Sequence, residues 1–233
     1  MNSWKLESLI LAVGMAVLGC FIKFGLDNFA GKDRVVTVKG LSEMEVMADK
    51  VTWPLMYKKV GNDLGTLYNE INNTNTQIKA FLLGKGISES EISLGAPEII
   101  DMAAERYNNS PVPFRYNVTA VITVTSDKVD LVRSLIQEQS ELLKQGIAIT
   151  GGDYRYNVVY DYTGLNNIKP QMIEEATKNA RTAAEKFAID SDSKLGKIKR
   201  ANQGQFSIGN RDENTPYIKR IRVVTTVEYS LED

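Results

Sequence analysis

The chain has 233 residues, of which 43% are hydrophobic and 24% are charged, a composition typical of a folded globular protein rather than a disordered one. Lysine and arginine number 28 against 29 aspartate and glutamate residues, and this net charge of −1 argues against a strongly basic nucleic-acid-binding protein. Histidine is absent and Cys20 is the only cysteine. Histidine triads, imidazole metal sites, cysteine–histidine catalysis and internal disulfide bonds are therefore excluded.

An apolar segment close to the N-terminus is the most informative local feature. Residues 8–22 carry no charge, and the apolar character continues past Lys23 to Leu26. As a helix, this segment would span roughly 22 Å to residue 22 and roughly 28 Å to Leu26, close to the ~30 Å hydrocarbon core of a bilayer. The Lys23 side chain could extend to the interface. We therefore predict that residues 1–33 form a membrane anchor or a signal segment, followed by a body at 34–233.

Three interpretations of this segment remain open. An uncleaved anchor is favoured because the apolar character continues beyond Cys20. A lipoprotein signal is the second interpretation, since Val17-Leu18-Gly19-Cys20 is similar to a lipobox and would make Cys20 a lipidation site. A cleaved secretory signal is the third, although no A-x-A site follows the apolar run. Lys5 precedes the segment while Lys23, Lys32 and Arg34 follow it, a charge bias that disfavours export, but a soluble body behind a short apolar leader suits an envelope protein.

The first half of the body predicts strands around one helix. A β-branched strand at 35–38 ends at Gly40, and a strand at 50–60 has Pro54 as the sign of an edge or a bulge. Leucine and isoleucine recur at helical spacing from Leu64 to the glycines at 84 and 86. Two further strands are predicted at 94–102 and 114–125. Alternation places two sets of side chains on buried faces: Val51, Trp53, Leu55 and Tyr57, and Phe114, Tyr116, Val118, Ala120, Ile122 and Val124.

The second half predicts the same order of elements. A connecting helix begins after Ser126 and Asp127 and ends at Gly146. A strand at 154–162 with a stripe of tyrosines on one face, a helix at 170–189 with Pro170 in its first turn, and strands at 195–207 and 217–231 follow. The strand-helix-strand-strand order thus occurs twice. This pattern predicts an α+β fold in which antiparallel sheet packs against helices, preceded by the N-terminal apolar helix.

Five segments of the body together carry a family resemblance: DYRYN at 153–157, ATKNARTAAEKF at 176–187, LGKIK at 195–199, VTVKG at 36–40 and GISESEI at 86–92. They resemble the SIMPL domain family of bacterial envelope proteins. The resemblance covers residues 34–231. It implies an exported or membrane-attached protein of the bacterial envelope, without an established catalytic site and in some members assembled into rings.

Carboxylate pairs are the candidates that the composition leaves for catalysis. Glu174 with Glu175, Glu43 with Glu45, and Asp101 with Glu105 could supply a general acid and a general base. Glu174 instead lies four residues before Lys178, the spacing of a solvated ion pair on a helix. Residues 190–193 and 210–214 lack the calcium-loop pattern and are expected to form turns, and no glycine cluster forms a phosphate loop. We expect no catalytic residue, no metal and no cofactor; a carboxylate-based hydrolase or ligand-binding protein is the alternative.

Basic residues are concentrated in the last two predicted strands. If those strands pair, they form a positive face or edge that could contact anionic lipid, an anionic polymer or an acidic patch on a neighbouring subunit, and otherwise a solvated, charged edge. Nucleic acid is disfavoured because the pI is about 5.8 and stacking aromatics are not interleaved. The residues are Lys194, Lys197, Lys199, Arg200, Lys219, Arg220 and Arg222.

These features together predict a non-catalytic protein of the bacterial cell envelope, tethered to the inner membrane on its periplasmic side. Its body is expected to form a homo-oligomer or to bind other envelope proteins, with envelope or stress maintenance as a candidate process. Location as a lipoprotein or as a protein secreted to the periplasm remains open.

Overall fold

The computed structural model describes residues 3–30, 34–104, 113–151 and 153–232. It contains five helices and nine strands within these residues, with two short 3₁₀ turns at Glu89–Glu91 and Tyr154–Tyr156. The helices are α1 (Ser3–Ala30), α2 (Leu64–Gly84), α3 (Val129–Glu138), α4 (Ser140–Lys144) and α5 (Leu165–Asp190). The strands are β1 (Val35–Met47), β2 (Lys50–Gly61), β3 (Ile92–Leu94), β4 (Glu98–Asp101), β5 (Tyr116–Ser126), β6 (Val159–Asp161), β7 (Lys194–Gln203), β8 (Ser207–Asn210) and β9 (Ile218–Glu232).

The chain forms two compact units, each with its own sheet. The first unit comprises Met1–Met44, Asn166–Ser207 and Ile221–Asp233, and the second comprises Glu45–Leu165 and Ile208–Arg220. The long strands β1 and β9 therefore contribute residues to both units. The predicted fold class, an α+β fold of antiparallel sheet packed with helices behind an apolar N-terminal helix, is confirmed.

The second unit has its core between one sheet face and helices α2 and α3. Its strands are ordered β3-β5-β2-β6, and β4 also pairs with β5. The antiparallel register places Trp53 opposite Val124 and Leu55 opposite Ile122, so the alternating apolar residues of β2 and β5 share one buried face, as predicted. The prediction is wrong for Phe114, which precedes β5 and is 44% exposed. Pro54 lies opposite Thr123, beyond the point where the pairing of β2 with β6 ends at Thr52.

The first unit packs α5 against a sheet with strand order β1-β9-β7. Alanines recur every four residues on the buried face of α5, so the helix backbone can approach the sheet closely. Gly40 of β1 is at the closest point, because an ideal Cβ there would lie 1.8 Å from the Ala176 carbonyl oxygen. Val38, Val227 and Tyr229 complete this small core with Ala180 and Ala184.

Several element boundaries differ from the sequence prediction for identifiable reasons. The first strand does not end at Gly40 but continues to Met47, because this glycine provides space for α5 instead of a turn. The segment 94–102 forms two short strands rather than one. The connecting helix is interrupted at Gln139, and Pro170 lies inside α5 rather than in its first turn, because α5 begins at Leu165.

The predicted tyrosine strand at 154–162 is wrong over most of its length. Tyr154–Tyr156 form a 3₁₀ turn in which the Asp153 side chain accepts a hydrogen bond from the Arg155 backbone amide. Tyr154 is 84% exposed, whereas Tyr160 is buried in the short strand β6. The turn chemistry of Asp153 therefore outweighs the alternating pattern of tyrosines.

Candidate functional site

The N-terminal helix α1 is the most extensive apolar surface on the described part of the chain. Its segment Glu7–Leu26 has a mean hydropathy of 2.3 and no buried residues, and it is long enough to cross a membrane. The large side chains of Phe21 and Phe24 are 73% and 75% exposed. Exposure of this kind is typical of a membrane anchor or a signal peptide and not of the core helix of a soluble protein. Cys20 is exposed within the same helix, so its side chain is accessible to modification.

The seven predicted basic residues do not share one face. Strand β9 alternates, so Lys219 points to the buried side while Arg220 and Arg222 point to the opposite side. Lys219 is 8% exposed, and its ammonium group donates to Asn210 Oδ1 at 2.5 Å. Burial lowers the pKa of Lys219 below its usual range.

Arg220 and Arg222 lie close to carboxylates of β1. Arg222 Nε is 3.4 Å from Glu43 Oε1, and Arg220 Nη2 is 3.7 Å from Glu45 Oε1. In β7, Arg200 is opposite Glu228 and Lys194 is opposite Glu232, whereas Lys197 and Lys199 are exposed near the two register shifts. The exposed face of this sheet therefore has alternating charges of both signs, which suits a partner that also carries both signs better than a uniformly anionic polymer.

The outer face of the sheet in the first unit also exposes apolar side chains. In β1 the residues Val38, Gly40 and Ser42 face α5, so the side chains of Val35, Thr37, Lys39 and Leu41 point away from it. Val35 and Leu41 are 39% and 37% exposed. A strand with alternating apolar and charged residues on an uncovered face is suited to contact with another protein surface.

A polar pocket of about 590 Å³ in the second unit contains a carboxylate that the sequence analysis did not select. Glu91 accepts hydrogen bonds from the Ser126 hydroxyl at 2.6 Å, the Ser88 hydroxyl at 2.6 Å and the Lys128 ammonium at 3.0 Å. These donors, the hydroxyl of Ser126 first among them, lower the pKa of Glu91 to about 2. The Ser88-x-x-Glu91 capping pattern in the sequence could have identified this residue.

A second concavity, an apolar groove of about 420 Å³, lies between α2 and strands β3 and β4. Its wall includes the buried side chains of Leu67 and Ile71 and the exposed side chains of Leu94 and Ile99. Beside it the Tyr57 hydroxyl donates to Asn75 Oδ1 at 2.7 Å, and burial raises the pKa of Tyr57 to about 12. The groove has the size and apolar character of a small-molecule pocket.

Of the carboxylates selected from the sequence, Glu43, Glu45, Asp101 and Glu174 form ion pairs, whereas Glu175 accepts a hydrogen bond from the Ser42 hydroxyl. Glu174 Oε1 is 2.6 Å from Lys178 Nζ, the predicted contact between residues four apart, and this pairing lowers the pKa of Glu174. The Arg115 guanidinium likewise lowers the pKa of Asp101, while Glu105, its proposed partner, lies outside the described residues. Every carboxylate with a shifted pKa in the described ranges is shifted down, so none of these has the raised pKa of a general acid.

The two polar segments that were expected to form turns do so. Residues 190–193 close the C-terminal end of α5, with Asp192 at φ 53° and the Ser193 amide donating to the Ala188 carbonyl at 2.9 Å. In the segment 210–214, Asp212 accepts backbone hydrogen bonds from Asn214 and Thr215 at 2.9 and 2.8 Å. The Asp212 oxygen therefore serves the local backbone, as in an ordinary Asx turn, whereas the Asp190 carboxylate pairs with Lys186.

Comparison with known proteins agrees with the architecture. The SIMPL family model, described as a protein of unknown function (DUF541), matches residues 36–228 and so covers both units. No curated protein matches the chain. Since the match extends over most of the body, this chain belongs to the SIMPL family.

Proposed function

We propose that this chain is a non-catalytic protein of the bacterial envelope, held in the inner membrane by α1 with its body on the periplasmic side. The observation that supports this proposal is the complete exposure of the apolar segment Glu7–Leu26. In water that surface would be unfavourable, whereas its leucine, isoleucine, phenylalanine and valine side chains each favour transfer to the membrane interior. The continuity of α1 from Ser3 through Cys20 to Ala30 suits a retained spanning helix.

The body of the protein is proposed to associate with further copies of itself or with other envelope proteins. The outer face of the β1-β9-β7 sheet supports this part of the proposal, since Val35 and Leu41 alternate on it with charged residues of both signs. A second copy of the chain offers the same mixture of charges, so the two faces can be complementary. An anionic polymer would instead encounter Glu43 and Glu45 beside the arginines.

Membrane attachment is tested by fractionation of the full-length protein from a bacterial cell. The protein should remain with the membranes after washes with high salt and with alkaline carbonate, because apolar burial holds a spanning helix and salt does not weaken it. Intact-mass measurement should give an unmodified chain beginning at or near Met1. A chain that begins at a diacylated Cys20, or a soluble chain that begins after the leader, would contradict the proposed anchor. Protease added to spheroplasts should digest the body if it is periplasmic.

Self-association is tested on the full-length protein in a mild detergent by light scattering over a wide concentration range. We expect a mass that is a multiple of the monomer mass and falls on dilution. Leu41→Glu should weaken this association without changing the circular dichroism spectrum. Leu83→Glu is the matched control, because Leu83 is 41% exposed but lies on α2 in the second unit. A monomer at every concentration would refute self-association while leaving the membrane anchor intact.

A further inference from the structure

We propose that one end of the first unit docks onto the headgroup region of the membrane in which α1 is embedded. This end, called here the membrane-proximal rim, is formed by Arg34, Phe187, Ile189, Lys194 and Lys197. The proposal rests on the proposed function, because it requires α1 to span the bilayer. Its partner is the phospholipid surface itself.

The length of the chain places Arg34 close to the membrane. The apolar segment ends at Leu26 and α1 ends at Ala30, so the helix extends about 6 Å beyond the apolar segment. Arg34 follows four residues after Ala30, a distance of at most about 14 Å even for a fully extended chain. The headgroup layer on each side of the hydrocarbon core is about 5–8 Å thick. The start of β1 is therefore held within about 15 Å of the outer surface of the headgroup layer.

Hydrogen bonds connect Arg34 to the segments that neighbour the other rim residues. The guanidinium of Arg34 donates to Ser193 Oγ at 3.3 Å, and the Leu231 amide donates to the Arg34 carbonyl at 2.9 Å. Strand β7 begins at Lys194, opposite Glu232. The C-terminal end of α5, the start of β7 and the end of β9 thus lie at the same end of the sheet as the point where the chain leaves the membrane.

The last turn of α5 exposes two large apolar side chains at this end. Phe187 and Ile189 are 61% and 69% exposed, on either side of the buried Ala188. The turn that follows is closed against the helix, since the Ser191 amide donates to the Phe187 carbonyl at 3.2 Å and the Asp192 amide to the Ile189 carbonyl at 3.1 Å. A fixed turn holds both side chains in place, and transfer of these side chains to the interface would remove their apolar surface from water.

The charges of the rim suit the headgroups only in part, so apolar insertion must be the main contribution. Lys194 and Lys197 can extend toward phosphate groups. Asp190, Asp192 and Glu232 lie at the same end, and Asp190 Oδ1 is 2.9 Å from Lys186 Nζ. The net charge of this end is too small for a purely electrostatic contact with the headgroups. The exposed Phe187 and Ile189 distinguish this rim from an ordinary solvated surface.

The test uses the full-length protein with Cys20→Ser as background and a single fluorescent label at Ile189→Cys. The protein is reconstituted into vesicles of phosphatidylcholine and phosphatidylglycerol that contain a lipid with a nitroxide on its headgroup. Gln171→Cys is the matched control: Gln171 is exposed on the same helix, about 27 Å away at 1.5 Å per residue. We expect strong quenching at position 189 and little at position 171.

A further variant separates docking from simple proximity. With the label at Lys194→Cys, replacing Phe187 and Ile189 together by serine should cause loss of the quenching, while Lys178→Ser on the exposed middle of α5 should leave it unchanged. Carbonate extraction of the same vesicles reports insertion of α1 independently. If α1 is not inserted, the proposed anchor fails. If α1 is inserted and quenching is equal at positions 171 and 189, or is unaffected by the double serine variant, the docking proposal is overturned while the anchor stands.

Discussion

Replacing Gly40 by alanine should separate α5 from β1. A Cβ at this position would lie 1.8 Å from the Ala176 carbonyl oxygen, 2.4 Å from the Ala180 amide nitrogen and 2.9 Å from the Ala180 Cβ. Two of the three atoms belong to the helix backbone, so a rotamer change cannot relieve the overlap. Restoring an ordinary separation of about 3.5 Å requires a displacement of α5 by roughly 1.7 Å.

The cost of that displacement follows from the contacts that it breaks. The alanine stripe of α5 would lose its close contact with Val38, and two hydrogen bonds of 2.8 Å would be stretched, from Ser42 Oγ to Glu175 Oε2 and from Asn179 Nδ2 to the Leu41 carbonyl. Overpacking of a well-packed core typically costs 1–3 kcal/mol, and here the obstructing atoms are backbone. We expect a destabilisation of about 3 kcal/mol, which is a large share of the 5–15 kcal/mol that is typical of a whole domain.

Hydrogen exchange measured by mass spectrometry on the full-length protein in detergent tests this expectation. Peptides from β1 and α5 of the Gly40→Ala variant should exchange faster, while peptides from β2 and β5 should be unchanged. The midpoint of urea unfolding should fall by about 1–1.5 M for a typical dependence on denaturant. Gly84→Ala is the control, because no atom lies within 4 Å of a Cβ there. Unchanged exchange in α5 would refute the close packing of this helix on Gly40.

Three further changes test the packing and the polar contacts. The lowering of the Glu91 pKa from 4.5 to about 2 corresponds to a contribution of at most about 3 kcal/mol to the free energy of unfolding. Because solvent screens these contacts, we expect Glu91→Gln to lower the free energy of unfolding in urea at pH 7 by about 1.5 kcal/mol. Because the pKa of Glu91 is lower in the folded state than in the unfolded state, this contribution is complete above pH 4.5 and disappears as the pH falls toward 2. A difference in stability between the wild-type protein and Glu91→Gln that persists at pH 2 would contradict this assignment. Tyr57→Phe removes the hydrogen bond to Asn75 and should cost about 1 kcal/mol by the same assay, with an unchanged midpoint as the contrary result. Ala184→Leu, at a fully buried position of α5, should cost about 2 kcal/mol, whereas Thr182→Leu on the exposed face should have little effect.

The sequence predicts the strongly periodic elements correctly. It does not predict the conformation where a single close contact or a turn determines the local structure. The alternation of Val51, Trp53 and Leu55 identified the buried face of β2 because a half-buried strand requires it. Gly40 was interpreted as the end of a strand, since a glycine that makes room for a helix 136 residues away cannot be distinguished locally from a turn glycine. The tyrosine pattern at 154–162 predicted a strand, but the local hydrogen bond of Asp153 determines the conformation instead.

The surface features were less predictable than the fold because they depend on which residues pair across strands. The sequence placed Arg220 and Arg222 in a basic cluster, but it gave no information that Glu45 and Glu43 of β1 lie beside them. The apolar segment that became α1 was evident, since hydropathy over a spanning length requires no tertiary information. The exposure of Phe187 and Ile189 was not predicted from the sequence, because the buried face of their helix consists only of alanine and Met172 instead of large apolar residues.

The strand order of the two sheets indicates how the apolar helix α1 is connected to the body. In the second unit the order along the chain is β2, α2, β3, β4 and β5, and strands β2, β5 and β3 lie side by side in that order. In the first unit α5, β7 and β9 occur in this order along the chain, and the strands lie in the order β1-β9-β7, as β2-β5-β3 do in the second unit. The strand in the position equivalent to β2 is β1, which comes from the opposite end of the chain. Strand β1 therefore joins α1 directly to a sheet that is completed only by the C-terminal strand β9. Because β9 lies between β1 and β7, the sheet of the first unit cannot form until synthesis reaches β9.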